Sequence, residues 1–292
     1  MCIECVIVFI KMLPLVTDLY KNDEEDIVMS EDKVSIFPDV VTSVSEAAQK
    51  NIPETVRQTD GTLSTVVGFF NNVVLYPVKK ANIIFRYKLE AFEDDLKEKI
   101  KDIPEENLQV PPTRVAGPTL EALRYAYDEE ELREMFENLL ASSMDNRTDI
   151  EVHPAFVEAI KQMSTLDAKV LSKILDLRQM KCVDIKFAIT NSTKVYSKGM
   201  PNYFVAELCD LSDPFLISSS LDNLDRLALI KITEGGIQGA DYESIKEHPY
   251  VKSRETLFKS FGEKFDIKVG RHAVIITNYG EQFARTCLNK NI

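Results

Sequence analysis

With 292 residues, 45% hydrophobic content and 28% charged residues, the chain has a globular composition that can bury one large core or two modest ones. Its net charge of −12 argues against a general nucleic-acid coat protein, which needs clustered Lys and Arg for phosphate contacts. Five scattered cysteines make no disulfide framework and fit a reducing cytoplasm; Cys2 and Cys5 stand close, but no second pair completes a zinc site, so neither metal nor cofactor is expected.

The charge is uneven. Residues 164–292 carry 18 Lys plus Arg and 16 Asp plus Glu, which leaves 17 and 31 for residues 1–163. This asymmetry predicts two regions with different surfaces, an acidic helical domain over 29–163 and a second domain over 164–292. Residues 1–28 are set apart as a non-native upstream extension. They lack the basic start and small-residue cleavage site of a secretory signal. Glu24-Glu25-Asp26 can also be encoded with AGGAGG, a ribosome-binding sequence, about eight nucleotides before the Met29 codon.

In chain order, the uncharged stretch 61–78 places Leu63, Val66, Val67, Phe70, Val73 and Val74 on one helical face. Its Asn71, Asn72 and Pro77 favour a packed helix over a membrane span, with membrane-surface contact as the alternative. Phe85, Leu89, Phe92, Leu96 and Ile103 predict a long amphipathic helix ended by Pro104. After the connector "VPPTRVAGP", Pro118 suits the first turn of a helix carrying Leu120, Leu123 and Tyr127. Asp128 and Glu131 form a capping-box pattern ahead of the stripe Leu132, Met135, Phe136, Leu139 and Leu140. His153 before Pro154 belongs at the start of a short helix, where its ring can bond a backbone group. Ser164 with Asp167 then caps the next helix.

After Met180 the period changes. "VDIKFAI" alternates as a strand, "SLDNLDRLALI" reads as a helix placed over 219–231, and "KFDIKVGRHAVIIT" as two strands about Gly270. A last helix runs through Phe283 and Cys287. The expected fold is mainly α (α+β overall), with an N-terminal helical region followed by a C-terminal winged-helix-like module containing a small β hairpin.

Three sets of residues could carry chemistry. Arg147 and His153, separated by five residues, have the loose Arg-x4–6-His spacing of HEPN-type ribonucleases, where histidine moves a proton and arginine stabilises phosphate charge. Thr148 replaces the polar residue common after that arginine, and a helix start accounts for His153 without catalysis. "EGGIQG" at 234–239 lacks the Lys-Ser/Thr of a phosphate loop and reads as a turn. For a DNA-binding winged helix the contacts would be Asn223, Arg226, Lys231, Lys268 and Arg271, interspersed with acids that weaken the case. None of the three histidines has a ligand-like partner one helical turn away.

The segments "YDEEELREMFENLLASSMD", "HPAFVEAIKQMSTLDAKVL", "LDNLDRLALI" and "IITNYGEQFARTCL", in this order, resemble the abortive infection alpha family, a bacterial group linked to phage defence. The resemblance implies a role in limiting phage multiplication. It carries over no catalytic residue. Together with the residue-level reading, it predicts a cytoplasmic antiviral defence protein acting through contacts with a protein of host or phage, with self-association an option. A DNA-binding regulator and a HEPN-like ribonuclease are the alternatives.

Overall fold

The computed structural model describes residues 83–190, 195–196, 199–260 and 264–290. The segments 1–28 and 61–78 lie outside them.

Among the described residues the first five α-helices are α1 (Ile83–Ile100), α2 (Thr113–Ala126), α3 (Glu130–Ser143), α4 (Ala155–Lys161) and α5 (Thr165–Leu177). The expected stripe of α3 is its buried face, with Phe136, Leu139 and Leu140 all at 0% exposure. Burying a side chain of this size contributes about 1.5–3 kcal/mol, so α3 is a main anchor of the helical core. Phe92, Leu96 and Ile100 from α1 join that core.

Two boundaries differ from expectation. The N-cap of α3 is Glu129, one residue beyond Asp128, and its side chain makes no capping bond. Glu131 instead pairs with Lys169 of α5 at 3.0 Å, so a tertiary ion pair takes the place of the local box. Helix α2 starts at Thr113, and Pro118 sits inside it. Pro111 and Pro112 set the earlier start, since a fixed φ is tolerated ahead of the first turn.

The second capping box does form. Ser164 Oγ accepts from Asp167 N at 3.2 Å while Asp167 Oδ2 accepts from Ser164 N at 2.7 Å and from Asn223 Nδ2 at 3.1 Å. Asp167 is 4% exposed. Asp167→Ala is therefore expected to lower stability by about 1–2 kcal/mol, read as a shift of the urea midpoint without a change in slope.

The remaining elements are β1 (Gln179–Ile189), β2 (Val195–Tyr196), α6 (Pro214–Arg226), β3 (Ile230–Glu234), α7 (Pro249–Lys259), β4 (Phe265–Ile276) and α8 (Asn278–Cys287). The strands form one antiparallel sheet in the order β2-β1-β4-β3. The chain is thus mainly α with a small sheet.

Two sequence readings are corrected in this half. Residues 265–276 are one strand, not two about Gly270; they pair with β1 from Gln179↔Ile275 to Ile189↔Phe265. Gly270 lies mid-strand because a neighbour crosses closely over its backbone, not because the chain turns. The helix expected to reach residue 231 ends at Arg226. Ala228 turns the chain with φ +58°, and Ile230, Ile232 and Thr233, all β-branched, continue as β3. Lys231 is therefore a strand residue.

Alternation divides the sheet faces. Val183, Ile185 and Phe187 pack with Phe204, Tyr242 and Phe258. Asp184, Lys186, Lys268 and His272 lie on the opposite face, by the two-residue period of a strand. The last helix, α8, returns to the first part of the chain: Asn138 Nδ2 donates to Cys287 O and Ser142 Oγ to Thr286 O, both at 3.0 Å. Arg285 pairs with Glu151 at 2.7 Å.

Candidate functional site: a polar cleft on the sheet

Strand β1 presents Asp184 and Lys186 on the face away from the apolar cluster. Directly opposite Asp184 in the ladder stands Gly270. A Cβ at position 270 would lie 1.6 Å from Asp184 Oδ1, so only glycine lets this carboxylate lie across the neighbouring strand. From there Asp184 Oδ1 reaches His272 Nε2 at 2.9 Å, and Oδ2 pairs with Lys186 Nζ at 2.5 Å. Burial raises the Asp184 carboxyl, but the hydrogen bonds from Lys186 and His272 outweigh it and hold it below the usual carboxylate range.

A cavity of about 390 Å³ opens beside this pair, lined by Asp184, Ile185, Lys186, Met200, Pro201, Asn202, Tyr203, Asp222 and His272. Tyr203 is fixed by its backbone N–H, which donates to Ser218 Oγ of α6 at 3.1 Å, and its ring meets His272 edge-on at 5.7 Å. Burial pushes the Tyr203 phenol up, with the Asp222 carboxylate adding to it. Asp222 is itself pushed up by burial and by Asp225. The arrangement holds a histidine oriented by a carboxylate, a phenol and a second, partly desolvated acid around one small cavity. Such groups can bind a polar ligand or move a proton.

The residues singled out from sequence are placed differently. Arg147 is engaged by Asp145, with Nε–Oδ1 at 2.9 Å and Nη2–Oδ2 at 2.6 Å, and this bond holds Asp145 below its usual range. His153 Nδ1 accepts from Ala155 N at 3.1 Å, and its ring packs on Phe156 and Tyr279. No hydrogen bond, ion pair or ring contact joins Arg147 to His153 among the described residues. Asn223 Nδ2 donates to Gln162 O at 2.9 Å, and Arg226 donates to Gln162 Oε1 and Asn223 Oδ1, so both clamp α6 to the α4–α5 junction. Lys231 faces Asp225 at 3.6 Å. Arg271 pairs with Glu243 at 3.5 Å over the Tyr242 ring. Lys268 and Arg271, three residues apart on one strand, lie on opposite faces of the sheet. Only Lys268 shares the cleft's face.

Residues 84–287 match the profile of the abortive infection alpha family. The chain belongs to the abortive infection alpha family. The matched span runs from α1 through α8, so the helical core, the sheet and the cleft all fall within the family's own region. Membership suggests a function related to abortive infection. No curated protein and no solved structure matches this chain.

The cysteines of the family region are buried or half-buried. Burial pushes the Cys182 thiol up to about 12, and raises Cys287 as well. Neither is a poised nucleophile, because the thiolate is the reactive form. Among the described residues no three His, Cys, Asp or Glu side chains converge as a metal site, and no helix is long and apolar enough to cross a membrane.

Sequence reading missed the Asp184–His272 pair. The two residues are 88 positions apart, and only strand pairing joins them. The one legible signal was a glycine inside a strand pattern, two residues before a histidine.

Proposed function

We propose that this protein acts in abortive infection, limiting phage multiplication in an infected bacterial cell, and that it does so in the cytoplasm by binding another protein. Family membership supports the first part. One surface supports the second: Phe215 (40% exposed) and Leu216 (56%) at the start of α6, with Leu257 (48%) on α7. Arg254, one turn before Leu257, lies over the rings of both Phe215 (6.0 Å) and Tyr250 (5.1 Å), which ties the two helices into one patch. Arginine is among the residues that dominate protein-binding energetics, and adjoining exposed apolar side chains mark interaction surfaces. Four of the five candidate DNA contacts, Asn223, Arg226, Lys231 and Arg271, are engaged by internal partners, which disfavours that alternative. In this reading the 164–292 module docks, and the acidic 29–163 part carries the sensor.

The test is the double variant Leu216→Glu, Leu257→Glu. Both side chains are exposed, so the protein keeps its melting temperature and helical circular dichroism. Protection against phage is expected to fall by about tenfold or more, the loss produced by removing about 1.4 kcal/mol of binding. A folded double variant that protects as well as the parent counts against the patch as the working surface.

A further inference from the structure

The sheet face beside the cleft carries a like-charge pair of lysines. Lys186 of β1 and Lys268 of β4 are direct cross-strand partners there. Like charges directly opposite in an antiparallel ladder repel and destabilise it. Lys186 is ion-paired with Asp184, whereas Lys268 is exposed and has no hydrogen bond or ion pair among the described residues. Asp184 offsets the charge on Lys186, and an anion beside Lys268 would offset the rest.

Lys186 lines the cavity, and Lys268 stands across the ladder from it; the lining also carries the Asn202 amide, the Tyr203 hydroxyl and the Asp222 carboxyl, of which Asn202 and Asp222 are exposed and open to a ligand. Tyr203 and His272 supply two rings held at a fixed angle of 84°. The cavity, about 390 Å³, falls in the range of small-ligand sites, roughly 300–1,000 Å³.

We propose that this cleft binds a nucleoside phosphate. Lys268, which has no counter-charge among the described residues, holds the phosphate together with Lys186. The Tyr203 and His272 rings receive the base, since every base offers a π-face to an aromatic side chain. Asp222 and Asn202 accept from and donate to the sugar hydroxyls, the role an acidic residue plays toward a ribose in dinucleotide sites. Asp184 fixes the His272 ring and needs Gly270 to reach it. This site is separate from the patch on α6 and α7, so the inference does not depend on the protein-contact reading.

The experiment is a calorimetric titration of the full chain at low salt with each of the four nucleoside 5′-monophosphates, and with inorganic phosphate alone. At least one nucleotide is expected to bind with a Kd below about 1 mM, and inorganic phosphate at least about tenfold more weakly. Lys268→Gln is expected to weaken nucleotide binding by about tenfold, as charge-assisted bonds are lost, while the melting temperature of the free protein holds or rises. Tyr203→Ala should weaken the nucleotide and leave inorganic phosphate unchanged. Saturation by none of the nucleotides below about 10 mM overturns the proposal, as does a Lys268→Gln chain that binds like the parent. Inorganic phosphate binding as tightly as every nucleotide overturns it too, because an anion site alone needs neither the rings nor Asp222.

Discussion

Gly280→Ala is expected to lower stability by about 3 kcal/mol, at the upper end of what one added methyl costs in a packed site. A Cβ at this position would stand 1.9 Å from Leu229 O and 2.8 Å from Leu229 C. These are backbone atoms and cannot rotate away. Leu229 O also accepts from Thr277 N at 3.3 Å, and Gly280 N donates to Thr277 Oγ1 at 2.9 Å, so the start of α8 is stapled to the α6–β3 connection where the methyl would intrude. Helix α8 carries Phe283 and Cys287, both at 0% exposure, and its displacement also breaks the Asn138 and Ser142 bonds to its last turn. Urea unfolding followed by circular dichroism measures the effect. Gly117→Ala is the control: nothing lies within 4 Å of its Cβ, so the change should stay within about 1 kcal/mol.

Gly270→Ala should cost about 1–3 kcal/mol, and here the cost is conditional. The added methyl meets Asp184 Oδ1 at 1.6 Å, a side chain that can swing aside only by leaving His272 and Lys186. In an Asp184→Ala background the obstacle is gone, and the same Gly270→Ala change should be cheaper by about 1 kcal/mol or more, a coupling a double-mutant cycle reads directly. The pH dependence gives a second readout. The Asp184 carboxyl is held low in the folded state, so its stabilisation is present above the ordinary carboxylate pKa and is lost as pH falls through the folded value. Asp184→Ala should therefore flatten the acid limb of the stability profile. An unchanged acid limb, with no coupling in the cycle, would mean the pair is incidental.

What could be read from the sequence divides along a physical line. Features set by residues close in the chain were legible. The stripe Leu132, Met135, Phe136, Leu139 and Leu140 is the buried face of α3, and Ser164 and Asp167 cap α5 reciprocally. His153 bonds a backbone N–H at a helix start, and Val183, Ile185 and Phe187 alternate into an apolar cluster. Features set by distant neighbours were not. "LALI" continues the helical spacing of the residues before it, but the chain turns at Ala228, with its positive φ, and pairs with β4 from Ile230 onward. Gly270 reads as a turn until Asp184, 86 residues earlier, is laid over it. The cleft follows the same rule: of its candidate residues only Lys268 came from the sequence, and for DNA contact.

The most direct test of the account is a phage challenge of cells expressing the full chain, at low and high multiplicity, with Leu139→Asp as an unfolded control because Leu139 is at 0% exposure. Fewer plaques at low multiplicity and culture collapse at high multiplicity are expected, with neither effect in the control. No protection across a broad phage panel from demonstrably folded protein would contradict the account.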